Sequence, residues 1–372
     1  MDSIINVMSI FGTRPEAIKM APVVLKLQSH HSFKSSVAVT AQHRDMLDQV
    51  LHLFDIHPDY DLDIMAPNQS LFDITSKALN GLQEVLISAK PDVVLVHGDT
   101  TTSFAAALAA FYLHIPVAHV EAGLRTFDKY SPFPEEMNRK LTASIADLHF
   151  SPTQTAKNNL LREGVDPNKI FVTGNTVIDA LFQTVSDDFS FDNSPLQSFD
   201  FNNKRLLLVT THRRENLGEP MRHVYKALKK LTQTFDDVEV IFPVHKNPKV
   251  RQVVDEELGG LSKIHLIDPL DYAPFANLMA RSTLVLTDSG GLQEEAPALG
   301  KPVLVLRDTT ERPEALEAGT VKLVGTDSQT VFDTAALLLS NNDEYLKMSN
   351  ASNPFGDGHA ADRIVSVLIR NS

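Results

Sequence analysis

The residues equipped for chemistry fall into two sets along the chain. The first half places Asp99, Glu121 and Glu135 just beyond short apolar runs, with Arg139 close behind the last of them. Carboxylates gathered in one closing cleft repel one another, so at least one pKa is expected to rise, which equips a general acid or base. The second half offers His212, Arg213, Arg214 and His245, together with the stretch LVLTDSGGLQEEAPALGKPVLVLRDTTERPEALEAG from Leu284 to Gly319. There a buried strand ends at Asp288, Ser289, Gly290 and Gly291 make a turn, and a helical pattern runs from Leu292 until Gly300. A strand, a glycine turn and a helix start bring backbone N–H groups and the positive end of a helix dipole to one point, which suits a phosphate. Glycines let the backbone approach the anion closely. Glu294 and Glu295 are placed to accept hydrogen bonds from a ribose diol, and Arg312 and Glu314 follow one strand later to close over the same point. The combination predicts a nucleotide site. Near the N-terminus, Arg14 and Lys19 stand at a helix start beside a strand's carboxyl end. Thr13 with Glu16 makes a capping box there, and Pro15 suits the first turn. Cations in that position oppose the helix dipole, so an arriving anion accounts for them. Taken singly, several of these residues also have a plain structural use. Asp99 suits the cap of a helix starting at Thr100, Glu121 suits a pair with Arg125, and His245 suits a polar strand end.

The elements that must position these side chains alternate regularly. Apolar strands at Ile4 to Phe11, Val37 to Thr40, Val93 to Val96, Val117 to Val120, Leu148 to Ser151 and Ile170 to Thr173 alternate with helical patterns. A polar, aperiodic connection follows from about Leu181 to Lys204. A second series then runs through Leu206 to Thr210, Val238 to Pro243, Ile264 to Ile267, Leu284 to Leu286, Val303 to Leu306 and Val321 to Val324. Such alternation predicts parallel sheets with helices on both faces, and ligands collect at the carboxyl ends of their strands. His97, Asp99, Glu121 and Arg125 fall at such ends. The expected fold is α/β, two doubly wound Rossmann-like domains facing a cleft. The first spans residues 1–178 and the second 179–356, with a C-terminal helix at about 357–372 crossing back to the first.

Composition narrows the function. A length of 372 residues suits two domains. The formal net charge of -13 argues against nonspecific nucleic-acid binding while leaving room for a local basic pocket. With no cysteine there is neither a disulfide framework nor a thiolate metal site. The 14 histidines show no H-E-x-x-H spacing, so no metal is expected. No G-x-G-x-x-G follows the first strand, and GDTTTS lacks the lysine of a P-loop, so no redox dinucleotide and no other cofactor are expected. Apolar runs are too short for a bilayer, and the N-terminus lacks the plan of a signal peptide, so a cytoplasmic protein without membrane contact is expected.

Beyond these readings, FGTRPEAIKMAP, TAQHRDMLDQV, HGDTTTS, HVEAGLRT, SPFPEEMNR, VTGNTVIDAL, THRREN, PVHKNP, TDSGGLQEEAPALGKPVLVLRDTTERPEA and AGTVKLVGTD together resemble the non-hydrolysing UDP-N-acetylglucosamine 2-epimerases. The resemblance runs from Phe11 to the NPFGDG segment; the stretch from about Asp187 to Lys204 lies outside it. It implies the GT-B fold and a reversible C2 epimerisation of UDP-GlcNAc to UDP-ManNAc for surface polysaccharides, through elimination of UDP to 2-acetamidoglucal and re-addition. Asp99, Glu121 and Glu135 match the proton-transfer positions, with the face served by each left open. By the same resemblance His212, aided by Arg14 and Lys19, would stabilise the departing pyrophosphate. Ser289, Gly290 and Gly291 would hold the phosphates, Glu295 the ribose and Arg312 the nucleotide loop, with uracil near Phe275. Arg139 and His245 join the substrate-binding set. Gln42, His43 and Arg213 match an activating second UDP-GlcNAc site. A homodimer is implied.

Overall fold

The computed structural model describes residues 4–41, 44–192, 196–213 and 216–371. Among the described residues, thirteen strands and fifteen α-helices follow one another in near-strict alternation. The first series is β1 (Ile5–Phe11), α1 (Arg14–Ser29), β2 (Phe33–Val39), α2 (Arg44–Leu53), β3 (Tyr60–Asp61), α3 (Leu71–Ala89), β4 (Val93–His97), α4 (Thr101–Tyr112), β5 (Val117–Val120), α5 (Glu135–Ile145), β6 (Leu148–Ser151), α6 (Gln154–Arg162), β7 (Ile170–Val172) and α7 (Thr176–Thr184). The second is β8 (Arg205–Thr210), α8 (Glu219–Thr234), β9 (Val238–Pro243), α9 (Pro248–Leu258), β10 (Ile264–Ile267), α10 (Tyr272–Ala280), β11 (Leu284–Thr287), α11 (Leu292–Ala298), β12 (Val303–Val305), α12 (Pro313–Glu317), β13 (Val321–Leu323), α13 (Ser328–Ser340) and α14 (Asn342–Ser349). Helix α15 (Ala360–Arg370) closes the chain.

Two compact units result, Met1–Gln183 with Phe355–Ser372, and Thr184–Pro354. The first holds a seven-stranded sheet in the order β3-β2-β1-β4-β5-β6-β7, the second a six-stranded sheet in the order β10-β9-β8-β11-β12-β13. Every pairing is parallel. Central strands such as VVLV of β4 and LLLV of β8 are apolar without alternation because helices cover both of their faces. In the first unit Met8, Ile10, Val94 and Val96 pack with Leu82, Leu86, Ala106 and Ala110 of α3 and α4. In the second, Leu207, Val209, Phe242, Leu286 and Leu304 pack with Tyr225, Leu228 and Val331. The order reverses between β1 and β4 in one sheet and between β8 and β11 in the other, and such switch points open a crevice beyond the strands' carboxyl ends.

The short edge strand β3 is absent from the sequence reading, because two residues carry no periodic signal. Helix α15 returns to the first unit as expected. Its first turn is capped by buried Asp179 of α7, whose carboxylate accepts from the N–H groups of Ala360 at 3.2 Å and Ala361 at 2.8 Å. Lys26 of α1 pairs with Asp362 across the same contact. Replacing Asp179 with Ala leaves two backbone donors of α15 unanswered. The expected cost is about 1–2 kcal/mol of stability, read as a lower urea midpoint with the far-ultraviolet dichroism of the folded protein unchanged.

Candidate active site

Arg14, Lys19, Asp99, His212 and the turn from Ser289 to Gly291 lie beside the two switch points, one set in each unit, and Glu121 and His245 follow the neighbouring strands β5 and β9. In the first unit the organising group is Glu16, which is 2% exposed. Its Oε2 accepts from the N–H groups of Gly12 at 3.1 Å and Thr13 at 2.9 Å and from the Thr13 hydroxyl at 2.8 Å. Its Oε1 accepts from Thr100 Oγ1 at 2.7 Å and Ser103 Oγ at 2.8 Å. Burial lifts this carboxyl above its ordinary value against the opposing pull of those bonds. The β1–α1 and β4–α4 turns are thereby tied to one carboxylate. Gly12 must be glycine for space: a Cβ there would stand 2.0 Å from Thr40 Oγ1.

One turn along α1 from Glu16, Lys19 forms an ion pair with Glu121. Glu121 follows β5 with a φ of 61°, a left-handed conformation that a non-glycine residue adopts only under outside constraint. Asn175 supplies part of it, donating to Glu121 Oε1 at 2.9 Å. Asp99 receives Arg139 of α5 twice, at 2.6 Å and 3.0 Å, and its carbonyl accepts from Asn138 at 2.9 Å. Glu135 begins α5 one turn before Arg139, on the same helix face as the residue that holds Asp99. Glu135 makes no hydrogen bond or ion pair with the described residues. The repulsion expected among the three acids is thus offset at two of them by cations.

Several expected pairings resolve differently. The cap of α4 is Thr100, whose Oγ1 accepts from Ser103 N, and not Asp99. Arg125 does not pair with Glu121: it makes a two-pronged contact with Glu163 at 2.8 Å and 2.7 Å. Of the adjacent acids, Glu136 is fully buried and accepts from the N–H groups of Thr126 and Phe127, pinning the loop that precedes α5. Arg14 is half-buried at the first position of α1 and makes no ion pair with the described residues.

In the second unit the organising group is Asp288, fully buried after β11. It accepts from the N–H groups of His212 and Arg213, each at 2.9 Å, and its Oδ1 lies 2.9 Å from His212 Nδ1. Burial pushes the carboxyl up, but the bonds from His212 and Arg213 outweigh it and hold the Asp288 pKa below the ordinary value. The His212 ring is fixed by its Nδ1 edge and lies parallel to the exposed ring of His245, centroids 6.1 Å apart. The turn after β11 is open: a Cβ on Gly290 would meet nothing within 4 Å, and one on Gly291 would meet only Glu295 Oε1 at 3.4 Å. Neither glycine has a positive φ, so both serve access to the backbone and not an unusual turn. Ser289 N donates to Thr287 Oγ1 at 2.9 Å. Arg312 pairs with the buried Glu294, placing the residue after β12 against α11 and leaving Glu295 half-buried beside the turn. Phe275 is half-buried on α10. Gln42, His43 and Arg214 lie outside the described residues. Glu16, Asp288 and Asn175 are the positioning groups missed from sequence; for Asp288 the signal was present, a lone acid ending an apolar strand.

A family model described as UDP-N-acetylglucosamine 2-epimerase matches residues 25–369. The chain belongs to the UDP-N-acetylglucosamine 2-epimerase family. It is 58% identical over 365 residues to the Bacillus subtilis protein named UDP-N-acetylglucosamine 2-epimerase, covering 98% of this chain and 95% of that one. It is 55% identical to the Escherichia coli K12 protein of the same name, covering 98% and 99%. The structure titled UDP-GlcNAc 2-epimerase from Neisseria meningitidis bound to UDP-GlcNAc superposes with a TM-score of 0.86 at 51% identity, covering 99% of this chain and 100% of that one. No helix among the described residues is long and apolar enough to cross a membrane.

This family member also carries three buried histidines, His97 at the end of β4 and His119 and His149 within β5 and β6. Burial holds His97 at about 4, His119 at about 3 and His149 at about 4, below their ordinary value of 6.5. Between those values and 6.5 the unfolded chain binds more protons than the folded one, so stability falls as pH drops through that window. The expected slope is up to about 1.4 kcal/mol per pH unit for each histidine. Urea unfolding at pH 7, 6 and 5 should show a falling midpoint, with a shallower fall in His119→Asn. A midpoint constant from pH 7 to 5 would contradict the burial of neutral imidazoles.

Proposed function

We propose that this protein interconverts UDP-GlcNAc and UDP-ManNAc by inverting carbon 2 of the sugar, without hydrolysis, and that it feeds surface polysaccharide synthesis as a homodimer in the cytoplasm. The observation that carries the chemistry is the placement of Asp99 and Glu121 at strand carboxyl ends and of Glu135 at the start of α5, with Arg139 on Asp99 and Lys19 and Asn175 on Glu121. Family membership carries the substrate, through the relatives' names and the bound UDP-GlcNAc of the Neisseria structure.

The C2 proton lies beside an acetamido group with no adjacent carbonyl, so it is not acidic and a free carbanion is out of reach. Elimination avoids that barrier. A carboxylate takes the C2 proton as the C1–oxygen bond breaks and UDP departs, giving 2-acetamidoglucal; UDP then re-adds at C1 while a second acid delivers a proton to the opposite face of C2. Two proton-transfer groups are required, and the trio supplies them. Lys19 pairs with Glu121 and Arg139 with Asp99, which sets a cation beside each of these acids. Charge grows on the departing pyrophosphate. His212, fixed through Nδ1 by Asp288, and the turn of Ser289, Gly290 and Gly291, open at its two glycines, are suited to receive it. Arg14 brings a further cation. Glu295 beside that turn is the acceptor for the ribose diol, Arg312 fastens the loop around it, and Phe275, His245 and Arg213 complete the nucleotide surface.

Incubation with UDP-GlcNAc followed by anion-exchange separation should yield UDP-ManNAc with no accumulation of free UDP and ManNAc. Asp99→Asn, Glu121→Gln and Glu135→Gln should each lower kcat by about 10²- to 10⁴-fold while UDP binding, measured by calorimetry, stays within a few-fold. Release of free ManNAc and UDP as the sole products would replace the reading with a hydrolysing one.

A further inference from the structure

His212 follows strand β8 with its ring set against Asp288, and the chemistry of that contact decides where a proton can sit. Asp288 is fully buried, and each group that bonds its carboxylate is a donor: the N–H groups of His212 and Arg213, both at 2.9 Å, and the His212 ring, whose Nδ1 lies 2.9 Å from Oδ1. Burial pushes this carboxyl up, but those donors outweigh it and keep it below its ordinary value, so it is ionised and can only accept. Nδ1 must therefore carry a hydrogen in either charge state of the ring. The opposite edge is where the charge can change. The His212 side chain is 40% exposed, and Nε2 has no hydrogen-bond partner among the described residues. A neutral ring held in this way presents a lone pair at Nε2, and only the imidazolium presents an N–H there.

A pyrophosphate oxygen also only accepts, so it is repelled by the lone pair and bonded by the N–H. The groups around His212 leave that rule intact. Arg213, in the same turn, is a permanent cation whose Nε stands 3.4 Å from the Asp288 carbonyl. Tyr225 of α8 shares a hydrogen bond with Thr211 at 2.9 Å, and burial pushes its phenol up, so it stays neutral. His245, after β9, is the neighbouring ring that titrates, parallel to His212 with centroids 6.1 Å apart. Arg214 and Glu215 lie outside the described residues.

We propose that a nucleotide pyrophosphate binding at this turn brings one proton with it, carried on Nε2 of His212 because Asp288 reserves Nδ1. This inference rests on the epimerase reading, which puts UDP here, and deepens it. The proton comes from solvent through the exposed edge of the ring: an Nε2–H bond forms as a water or buffer acid gives up its proton, and no other bond changes. His212 is the group that touches the phosphate, and Asp288 is a positioning residue that acts through it. The contact strengthens as the C1–oxygen bond breaks and the leaving pyrophosphate gains charge. UDP is thereby held through the interval in which the sugar is 2-acetamidoglucal, and loss of the proton at high pH loosens it.

Calorimetric titration with UDP in buffers of low and high ionisation enthalpy counts the protons. A series from pH 7 to 9 stays above the range in which a terminal phosphate titrates, about pH 6. Across it the unaltered protein should take up a growing fraction of a proton, approaching about one, while Kd weakens by up to about tenfold per pH unit. His212→Gln, whose amide offers an N–H at any pH, should bind UDP with no uptake and a constant Kd. Asp288→Asn turns an amide donor toward Nδ1 and lets the neutral ring keep its hydrogen on Nε2, so uptake should fall below about half a proton. His245→Gln should keep the uptake, whatever its affinity. No uptake and a constant Kd in the unaltered protein would overturn the proposal, as would uptake that survives in His212→Gln or vanishes in His245→Gln. A full proton taken up by Asp288→Asn would overturn the part given to Asp288. An unaltered protein that binds no UDP at any pH would fail the nucleotide reading itself, and the proposal with it.

Discussion

A carboxylate removed from water must have its charge answered, and in this molecule that constraint organises the functional loops. Glu16 accepts five hydrogen bonds, and they come from both sides of the switch point in the first sheet. Through Gly12 and Thr13 it sets the start of α1, and with it Lys19, the partner of Glu121. Through Thr100 and Ser103 it sets the turn that carries His97, Gly98 and Asp99. Remove that one carboxylate and five donors lose their common acceptor, so the start of α1 and the turn that carries Asp99 lose their mutual register. Asp288 has the same place in the second unit, where one buried side chain gathers His212 and Arg213 from the end of β8.

The chain separates structural from chemical acids by burial, often between neighbours in sequence. Glu136 is sealed and spends its oxygens on the backbone of Thr126 and Phe127, while Glu135 one residue earlier makes no bond among the described residues. Glu294 is buried against Arg312, while Glu295 stands beside the open glycine turn. An acid that is fully bonded holds a loop, and Glu135, with no bond among the described residues, is available to a ligand. The cations follow the same division: Arg125 is committed to Glu163, and Arg14 is left uncommitted among the described residues.

Much of this was legible in the sequence because the strands are apolar on both faces and end abruptly in polar residues. The alternation of VVLV, LLLV and LVL runs with helical stretches yields the parallel sheets, and the ends of those runs mark Asp99, Glu121 and the Ser289 turn. The return of α15 was visible as a helix after a glycine-rich break. What was not legible depends on contacts between residues far apart in the chain. Glu16 reads as a local capping residue, and only the fold brings Thr100 and Ser103 to it. Arg125 stands four residues from Glu121 and yet points to Glu163. The histidine row needs three adjacent strands before its burial can be seen.

The central claim is that carbon 2 loses and regains a proton at the Asp99, Glu121 and Glu135 cluster. Proton NMR of UDP-GlcNAc incubated with the protein in heavy water tests it most directly. The account predicts UDP-ManNAc carrying deuterium at C2, together with deuterium at C2 of the recovered UDP-GlcNAc, since recapture of UDP returns the intermediate to both epimers. Interconversion of the two sugars with C2 still protiated in both would contradict it.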